Sequence, residues 1–292
     1  MTHPYASNQY AKAFAPEYTS LHLPEANTHI LLRPITGTKL QDGIGIYPLC
    51  PINAVANLES DFADLEKRKL VSLVLVTDPF FRPELEKMKK AFTKVAEFKE
   101  HYLCDLRKEH RYSTHHRYEV KRAHKLCETR SIALSDYLDE WYVLYHTLIN
   151  KHGITGIQAF SKHYFAALCA LKPTTIAAFS QGKMVSAHIW FEYEGKVYSH
   201  LAASSDEGYK LRSSYAVYDH SIRHFKDAGA SIMDFGGGAG NEASAGLSFL
   251  KKGFSNHSAM CYLCGKILDE EKYKELNGSN ETSYFPAYRM SK

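Results

Sequence analysis

Apolar and polar positions alternate most clearly between Lys183 and Phe254, where the pattern predicts two strands, a helix and a third strand. The first two strands are residues 184–193 and 196–203, which carry valine, isoleucine and aromatic side chains. Only Glu194 and Gly195 separate them, and a short polar connection with glycine is typical of a β-hairpin. We therefore expect the two runs to pair as antiparallel neighbours.

A polar run over residues 204–212 predicts a loop after this hairpin. Ser213 or Ser214 is placed to cap the helix that follows, because serine hydroxyls accept hydrogen bonds from first-turn N–H groups. We expect the helix to end at Gly229. Its apolar side chains recur at helical spacing and are Tyr215, Tyr218, Ile222 and Phe225.

Residues 231–235 predict a return to the sheet, and the chain then runs into the loop formed by Gly236, Gly237 and Gly238. A strand followed by a loop and a helix N-terminus leaves backbone N–H groups free at a crevice. Such groups suit an anionic or carbonyl-bearing ligand. The pattern therefore favours group transfer over a structural role.

Strands and helices also alternate along the rest of the chain, which indicates a layered α/β fold. Predicted strands span residues 30–34, 43–50, 71–77, 101–106, 175–180 and 259–267. Predicted helices span residues 83–98 and 136–151, and two more begin after Ser113 or Thr114 and after Ser161. A chain of 292 residues is long enough for two domains, which we expect to be residues 1–133 and 134–292, and the shared layout of the two halves is compatible with this division. The tail, residues 268–292, is expected to dock on the first domain through Tyr284, Phe285 and Tyr288.

Composition indicates the class of protein but does not indicate the reaction it catalyses. The 292 residues are 45% hydrophobic and 23% charged, as in soluble globular proteins, and a net charge of +4 does not by itself imply nucleic acid. No apolar run approaches the roughly 20 residues of a membrane helix. Because the amino terminus lacks a signal-peptide core, we expect a cytoplasmic protein without a transmembrane segment. Peripheral contact with a membrane stays open.

Neither the cysteines nor the histidines are spaced as metal ligands. Cys261 and Cys264 form a C-x-x-C inside a predicted strand, which sends their side chains to opposite faces and favours buried cysteines. The 16 histidines are scattered singly, apart from His115 and His116. We therefore expect no metal site, no disulfide framework and no permanently bound cofactor.

Four segments together resemble one family. They are YHTLINKHGITGIQAFSKHYFAAL, the hairpin, SYAVYDHSIRHFKDAG, and above all DFGGG followed by GLSFLKKGFS. The pattern resembles the Fem family, aminoacyl-tRNA-dependent transferases that extend the peptide of peptidoglycan precursors and are similar in turn to GNAT-like acyltransferases. The resemblance covers most of residues 100–266. Where the family has Phe-Lys, this chain has Leu250-Lys251, so only the lysine carries over.

The resemblance implies a fold and a reaction. The fold would be two GNAT-like domains, each a mixed, largely antiparallel sheet flanked by helices. The reaction would be transfer of an acyl or aminoacyl group onto an amine, with a cell-wall precursor as a possible acceptor. The donor would be aminoacyl-tRNA or acyl-CoA, and donor and acceptor would meet in the cleft of the second domain.

Lys251 and Asp234 are the candidate catalytic residues. A fixed cation beside the glycines suits a donor phosphate or a developing oxyanion, and the alternative is a solvated lysine like Lys252. We expect the Lys251 ammonium to reach the cleft from a partly exposed position. Asp234 either accepts a proton, orients the amine, or caps the loop through backbone N–H groups. Gly236–Gly238 serve either close approach of a donor or a tight turn.

A second group of residues is expected near the donor or the acceptor. Its members are Arg212, Ser213, Ser214, Tyr215, Tyr198 and His200. The first three stand at a helix start, where a phosphate or carbonyl group binds, and plain capping is the alternative. Tyr215 lines either a pocket or the core. Tyr198 and His200 share one strand face, and His200 is either a base or a structural histidine.

Residues 107–125 form a basic segment with interleaved tyrosines. Arg117 and Lys121 are four apart on the predicted helix and share a face that suits tRNA or a nucleotide pyrophosphate, whereas a solvated charged face is the alternative. Two rivals to an aminoacyltransferase stay open. One is an acyl-CoA-dependent N-acyltransferase, and the other is a catalytically silent module that binds RNA or an anionic glycan precursor.

Overall fold

The structure is a computed structural model that describes residues 2–52, 58–80, 84–109, 111–238, 245–278 and 282–290. The chain forms two compact units. Unit 1 contains Lys99–Ala259, and unit 2 contains Thr2–Phe98 together with Met260–Lys292. Among the described residues, no helix has both the length and the hydropathy that crossing a bilayer requires.

The secondary structure follows the predicted alternation of strands and helices. The elements up to residue 105 are α1 (Asn8–Lys12), β1 (Thr19–Leu23), β2 (Thr28–Pro34), β3 (Gln41–Gly45), α2 (Leu58–Lys67), β4 (Leu70–Val76), α3 (Leu85–Ala91) and β5 (Lys94–Asp105). The elements that follow are α4 (Thr114–Leu126), β6 (Glu128–Ile132), α5 (Leu138–His152), α6 (Lys162–Cys169), β7 (Thr174–Ser180), β8 (Lys183–Tyr193), β9 (Lys196–Ser204), α7 (Asp206–Leu211), α8 (Ser213–Asp227), β10 (Ile232–Gly237), α9 (Ala245–Phe254), β11 (His257–Ile267) and α10 (Glu270–Asn277).

The strands of unit 1 lie in the order β5-β10-β9-β8-β7-β6. The pairs β10–β5, β9–β8, β8–β7 and β7–β6 are antiparallel, whereas β10 and β9 are parallel. In unit 2 the order is β1-β2-β3-β4-β11, and only β3 and β4 pair in parallel. The predicted fold class, mixed α/β with largely antiparallel strands and flanking helices, is confirmed, and a single parallel sheet is ruled out.

The parallel pair of unit 1 separates along its length. Its register begins at Ile232↔Lys196 and ends at Asp234↔Tyr198, although β9 continues to Ser204 and β10 to Gly237. Beyond Tyr198 and Asp234 the two strands are therefore no longer registered with each other. We call this opening the strand split, and it places the end of β10 at a gap in the sheet.

Helix α8 covers the core of unit 1, as its apolar stripe predicts. Tyr218 and Phe225 of this helix are buried against Trp190 of β8, with ring centroids 6.2 and 5.7 Å apart. Phe254 of α9 stacks on Tyr218 at 5.3 Å, so the same core also holds α9. Cys261 and Cys264 of β11 are fully buried, as expected.

Three predicted elements differ in the structure. Residues 204–212 contain α7 rather than a loop, because the Ser205 hydroxyl caps a turn by accepting from the Gly208 N–H at 3.1 Å. Arg212, with φ 59°, then takes the cap position of α8 that was predicted for Ser213 or Ser214. The predicted helix over 83–98 is limited to α3, since residues from Lys94 onward join β5. The strand predicted over 43–50 ends at Gly45.

The predicted boundary between residues 133 and 134 falls inside unit 1. Strand β6, just before it, pairs along its whole length with β7, and its neighbour α4 packs on α8. The tail lies in unit 2, where it packs on the N-terminal strands. The Tyr288 hydroxyl donates to Asp42 Oδ2 at 3.0 Å, and Arg289 Nη2 donates to Asp42 Oδ1 at 3.0 Å.

Candidate active site

Lys251 lies on α9 with its side chain buried. Only 9% of the residue is exposed, and Nζ donates a hydrogen bond to the carbonyl oxygen of Gly237 at 2.9 Å. Burial lowers the pKa of Lys251 to about 8, since a buried ammonium loses its hydration; Asp234 opposes this shift and Lys99 adds to it. The expected partly exposed position is therefore wrong, because α9 turns this lysine inward while Lys252 remains exposed.

Helix α4 fixes the position of α9. His116 Nε2 of α4 lies 3.2 Å from the Leu250 carbonyl oxygen, and its Nδ1 lies 3.1 Å from the Ser113 hydroxyl. A Cβ added at Gly253 would come within 2.0 Å of the His116 ring, so only glycine admits this approach. The His116 imidazole thus holds in place the turn of α9 that carries Lys251. The sequence drew attention to His115 and His116 only as an adjacent pair.

The glycines after Asp234 form the bulged end of β10 rather than a separate loop. Gly236 has φ 77°, and the register with β5 shifts between Asp234 and Gly237. Asp234 is 2% exposed, and its Oδ1 accepts from the Gly236 N–H at 2.7 Å. The aspartate therefore stabilises a conformation that glycine adopts easily, which was one of the alternatives left open for it. Gly238 follows directly after the strand.

His101 of β5 also contacts Asp234 and was missed in the sequence. Its Nδ1 lies 3.0 Å from Asp234 Oδ1 and 2.9 Å from Oδ2. Its Cδ2 lies 3.1 Å from the position that a Cβ on Gly237 would occupy. Asp234, His101, Gly237 and Lys251 therefore form one connected group, which we call the β10-end cluster. Nothing in the spacing signals this contact, because β5 and β10 are distant in the chain and pair only through the fold.

The β10-end cluster combines three kinds of chemistry at the strand split. Lys251 supplies a cation in a partly desolvated position, where its attraction for a developing negative charge exceeds that in water. Asp234 and His101 supply a carboxylate and an imidazole in direct contact. The glycines beside them allow Lys251, Lys99 and Ser248 to pack directly against the backbone at the end of β10. A cation beside a potential base suits a reaction that moves a proton while negative charge develops on oxygen.

The residues at the start of α8 are engaged in internal contacts. Ser213 is fully buried and donates to the Gly208 carbonyl oxygen at 3.0 Å, so its hydroxyl is not presented to a ligand. The Ser214 hydroxyl lies 3.2 Å from that of Ser204. Tyr215 is 8% exposed and its hydroxyl lies 3.3 Å from His115 Nε2. The Arg212 side chain is exposed, and its Nε lies 3.9 Å from Glu119 Oε2.

Tyr198 and His200 are both buried on β9. His200 Nε2 lies 2.9 Å from the Tyr164 hydroxyl, so the His200 ring contacts α6. Burial lowers the pKa of His200 to about 3, which keeps it neutral and favours the structural alternative over a base. Tyr198 is 1% exposed and is the last β9 residue registered with β10.

A second histidine missed in the sequence lies on the opposite face of this hairpin. His188 of β8 is 1% exposed, and its Nε2 lies 2.7 Å from the hydroxyl of Ser199, the first β9 residue in the strand split. Its ring stacks on Trp190 at 3.7 Å. Burial lowers the pKa of His188 well below its usual value, and Lys251 adds to this effect. His188 is therefore a neutral hydrogen-bonding group near the cluster.

Arg117 and Lys121 lie on the exposed face of α4, as predicted. Arg117 makes one long contact, from Nη2 to the Thr114 hydroxyl at 3.4 Å. Neither side chain forms an ion pair with any residue that the structure describes. Tyr118 between them is 64% exposed. The two cations are thus available to an anionic partner, although they are separate from the buried cluster.

Comparison with known proteins agrees with this architecture. Residues 110–243 match a family model described as Acetyltransferase (GNAT) domain. Over 143 residues the chain is 30% identical to UDP-N-acetylmuramoylpentapeptide-lysine N(6)-alanyltransferase of Weissella viridescens, a match that covers 48% of this chain and 42% of that protein. The chain thus aligns with less than half the length of that relative.

Solved structures share the fold. The crystal structure of FemX superposes with a TM-score of 0.65 at 12% identity, covering 94% of this chain and 95% of that one. The C-terminal domain of a putative lysylphosphatidylglycerol synthetase from Agrobacterium fabrum superposes with a TM-score of 0.63 at 13% identity, covering 91% and 88%. The chain therefore has the fold of these structures, residues 110–243 resemble a GNAT acetyltransferase domain, and about half of the chain is similar to a Fem-type alanyltransferase.

Proposed function

We propose that the protein transfers an acyl or aminoacyl group from an activated donor to a primary amine. The observation that carries this proposal is the buried ammonium of Lys251, bonded to the Gly237 carbonyl at the strand split. A buried cation is costly for a fold, so its presence at the strand split points to a function. Asp234 and His101, in contact beside it, provide polar groups for the amine.

Acyl transfer requires charge stabilisation that Lys251 is suited to supply. Attack of an amine on an ester or thioester carbonyl places negative charge on the carbonyl oxygen. With a pKa of about 8, Lys251 is mainly protonated at neutral pH and attracts that charge. Its surroundings are already desolvated and fixed by α9, so little reorganisation accompanies the reaction. We assign stabilisation of the developing charge to Lys251, and Asp234 supports the polar groups beside it.

The relative with 30% identity suggests the transferred group and the acceptor. Its name describes alanyl transfer to a lysine of a UDP-linked muramoyl pentapeptide. By analogy, we propose aminoacyl-tRNA as the donor and the amine of a cell-wall precursor as the acceptor. Arg117 and Lys121 support a polyanionic donor, because two exposed cations on one helix face suit consecutive phosphates.

An acyl-CoA donor is the second candidate. It is favoured by the match of residues 110–243 to an acetyltransferase domain family. The same cluster would serve it, because a thioester and an ester develop the same oxyanion. The two candidates differ in the donor and share the assignment of Lys251.

The test compares two donors with one acceptor. The purified protein is incubated with alanyl-tRNA or with acetyl-CoA, together with a UDP-linked muramoyl pentapeptide that contains lysine, and products are identified by mass spectrometry. We expect an alanylated product, lost by about 10²-fold in Lys251→Ala and retained in Lys252→Ala, its exposed neighbour. An acetylated product alone would favour the second candidate. No product from either donor, with RNA binding retained, would leave the silent binding module as the better reading.

A further inference from the structure

The imidazole of His101 is held through one nitrogen only. Nδ1 lies 3.0 and 2.9 Å from the two carboxylate oxygens of Asp234. Among the residues that the structure describes, Nε2 makes no hydrogen bond. The side chain keeps 11% of its surface exposed, so the ring is not completely enclosed by the described residues.

Asp234 determines which nitrogen carries the proton. A carboxylate accepts hydrogen bonds and donates none, so Nδ1 must be the protonated nitrogen of the neutral ring. Nε2 is then left with a lone pair that can accept a proton. Asp234 is restrained in turn, because Oδ1 also accepts from the Gly236 N–H at 2.7 Å and the side chain is 2% exposed. The carboxylate thus fixes both the tautomer and the orientation of the ring.

The free nitrogen stands beside the residue that binds Lys251. His101 Cδ2, the ring atom adjacent to Nε2, lies 3.1 Å from where a Gly237 Cβ would be. The carbonyl oxygen of the same Gly237 accepts from Lys251 Nζ at 2.9 Å. A proton acceptor and a cation therefore flank one glycine. A base and an oxyanion partner act on neighbouring atoms of one tetrahedral intermediate, so contacts of both with one residue fit that chemistry.

We propose that His101 is the general base that deprotonates the attacking amine, and that Asp234 is its positioning residue. This inference rests on the proposed acyl transfer. As the amine nitrogen bonds to the acyl carbon, His101 Nε2 takes one amine proton. The bond from that carbon to the donor oxygen or sulfur then breaks, and the same proton passes to the leaving atom. The products are an amide and a free hydroxyl or thiol, so neither an oxidant nor another co-reactant is needed.

The first measurement is steady-state kinetics with the alanyl-tRNA and muramoyl pentapeptide assay. His101→Gln keeps a polar group against Asp234 but has no proton-accepting nitrogen, so kcat should fall by about 10²- to 10³-fold with little change in KM. His220→Gln is the matched control, because His220 is also held through Nδ1, by the Thr129 hydroxyl at 3.0 Å, and lies outside the cluster. Circular dichroism melting checks that both variants are folded.

The second measurement separates a chemical role from a structural one. His101→Ala opens space at the ring position, and added imidazole should restore part of the lost turnover there but none in His101→Gln. Nitrogen-15 NMR of the ring should show the Nδ1-protonated tautomer in the unmodified protein. It should show the other tautomer, or a mixture, in Asp234→Asn, because an amide can donate to Nδ1.

The outcomes distinguish this inference from the proposed function. A kcat for His101→Gln equal to that of the unmodified, active protein would overturn the assignment of His101 and leave acyl transfer intact. An Nε2-protonated ring in the unmodified protein would overturn it as well. Loss of kcat together with imidazole rescue would support it. Absence of transfer by the unmodified protein would overturn the proposed function itself.

Discussion

Lys251 Nζ donates to the Gly237 carbonyl oxygen across 2.9 Å, and this bond joins α9 to the bulged end of β10. The buried ammonium depends on that bulge, because an extended strand would not turn the same carbonyl toward α9. The bulge depends in turn on Gly236 and on the Asp234 carboxylate that binds its N–H. Activity and backbone geometry should therefore change together when either end of this link is altered.

Replacing Lys251 by methionine should lower turnover and raise the free energy of unfolding. The substitution removes a buried ammonium but leaves the Gly237 carbonyl without its donor, so we expect a net gain of about 1–2 kcal/mol in the free energy of unfolding near neutral pH. Turnover should fall by about 10²-fold or more. Urea denaturation and the transfer assay measure the two effects. Lys252→Met is the exposed control, and a Lys251→Met protein that is less stable than the unmodified one would contradict the cost assigned to the buried charge.

The difference in free energy of unfolding between Lys251→Met and the unmodified protein should depend on pH, with a sign that follows from the lowered pKa of Lys251. The pKa of Lys251 is lowered from 10.5 to about 8 in the folded protein, so between these values the unfolded chain binds more protons. The free energy of unfolding of the unmodified protein should therefore rise with pH across this window, by up to about 3 kcal/mol from this group. Below about pH 8 the penalty is constant. The advantage of Lys251→Met should shrink as pH rises from 8 toward 10.5, and an advantage that does not change would contradict this account.

Turnover should fall as pH rises, whereas the free energy of unfolding should increase. If Lys251 acts as a cation, the rate should decline as pH rises through about 8, where its ammonium loses the proton. Lys251→Arg should shift that decline to higher pH, because a guanidinium stays charged, while its different geometry restores only part of the rate. The measurement is kcat against pH for both proteins. A rate that increases through the same pH would indicate that neutral Lys251 acts as a base.

The bulge glycines can be tested with a matched control on α9. Gly236→Ala adds a Cβ at φ 77°, 3.2 Å from Lys251 Nζ, and should lower both stability, by about 1–2 kcal/mol, and turnover. Gly246→Ala meets no atom within 4 Å and should be neutral or slightly stabilising, because alanine favours a helix. Thermal unfolding and the transfer assay distinguish the two. Equal effects of the two substitutions would argue against a special role for the bulge.

Much of the fold could be predicted from the sequence because its signals are local. The hairpin, the stripe on α8 and the Ser161 cap of α6 each depend on residues a few positions apart. The candidate site was harder to predict from the sequence. Lys251 and Asp234 were candidates through their motif, but His101 meets Asp234 only because β5 pairs with β10. Ser213 was misread since its role follows from the Gly208 carbonyl, which α7 brings to it.

Acid should destabilise the protein through its buried histidines. The pKa of His200 is lowered from 6.5 to about 3, so the unfolded chain binds the extra proton between these values. The stabilisation is fully present above pH 6.5 and is lost as pH falls below it. His200→Gln should reduce the loss between about pH 7 and about pH 5 by about 2 kcal/mol, measured by urea denaturation. His152→Gln, at the exposed end of α5, should not, and identical acid slopes in all three proteins would refute the prediction.

The basic face of α4 gives the test that separates the two donors. Arg117 and Lys121 are exposed on one helix face, and each phosphate contact releases counterions when RNA binds. The logarithm of the affinity for alanyl-tRNA should therefore fall steeply with the logarithm of salt concentration, and reversing both charges to glutamate should reduce the slope by about two. The control reverses Lys151 and Lys162, which already pair with Asp206 and Asp139 and should affect the slope less. Fluorescence anisotropy at several salt concentrations measures these slopes. If the slope is unchanged by Arg117→Glu and Lys121→Glu, while acetyl-CoA binds and reacts regardless of both, the donor is acyl-CoA and the charged face of α4 is only a solvated surface.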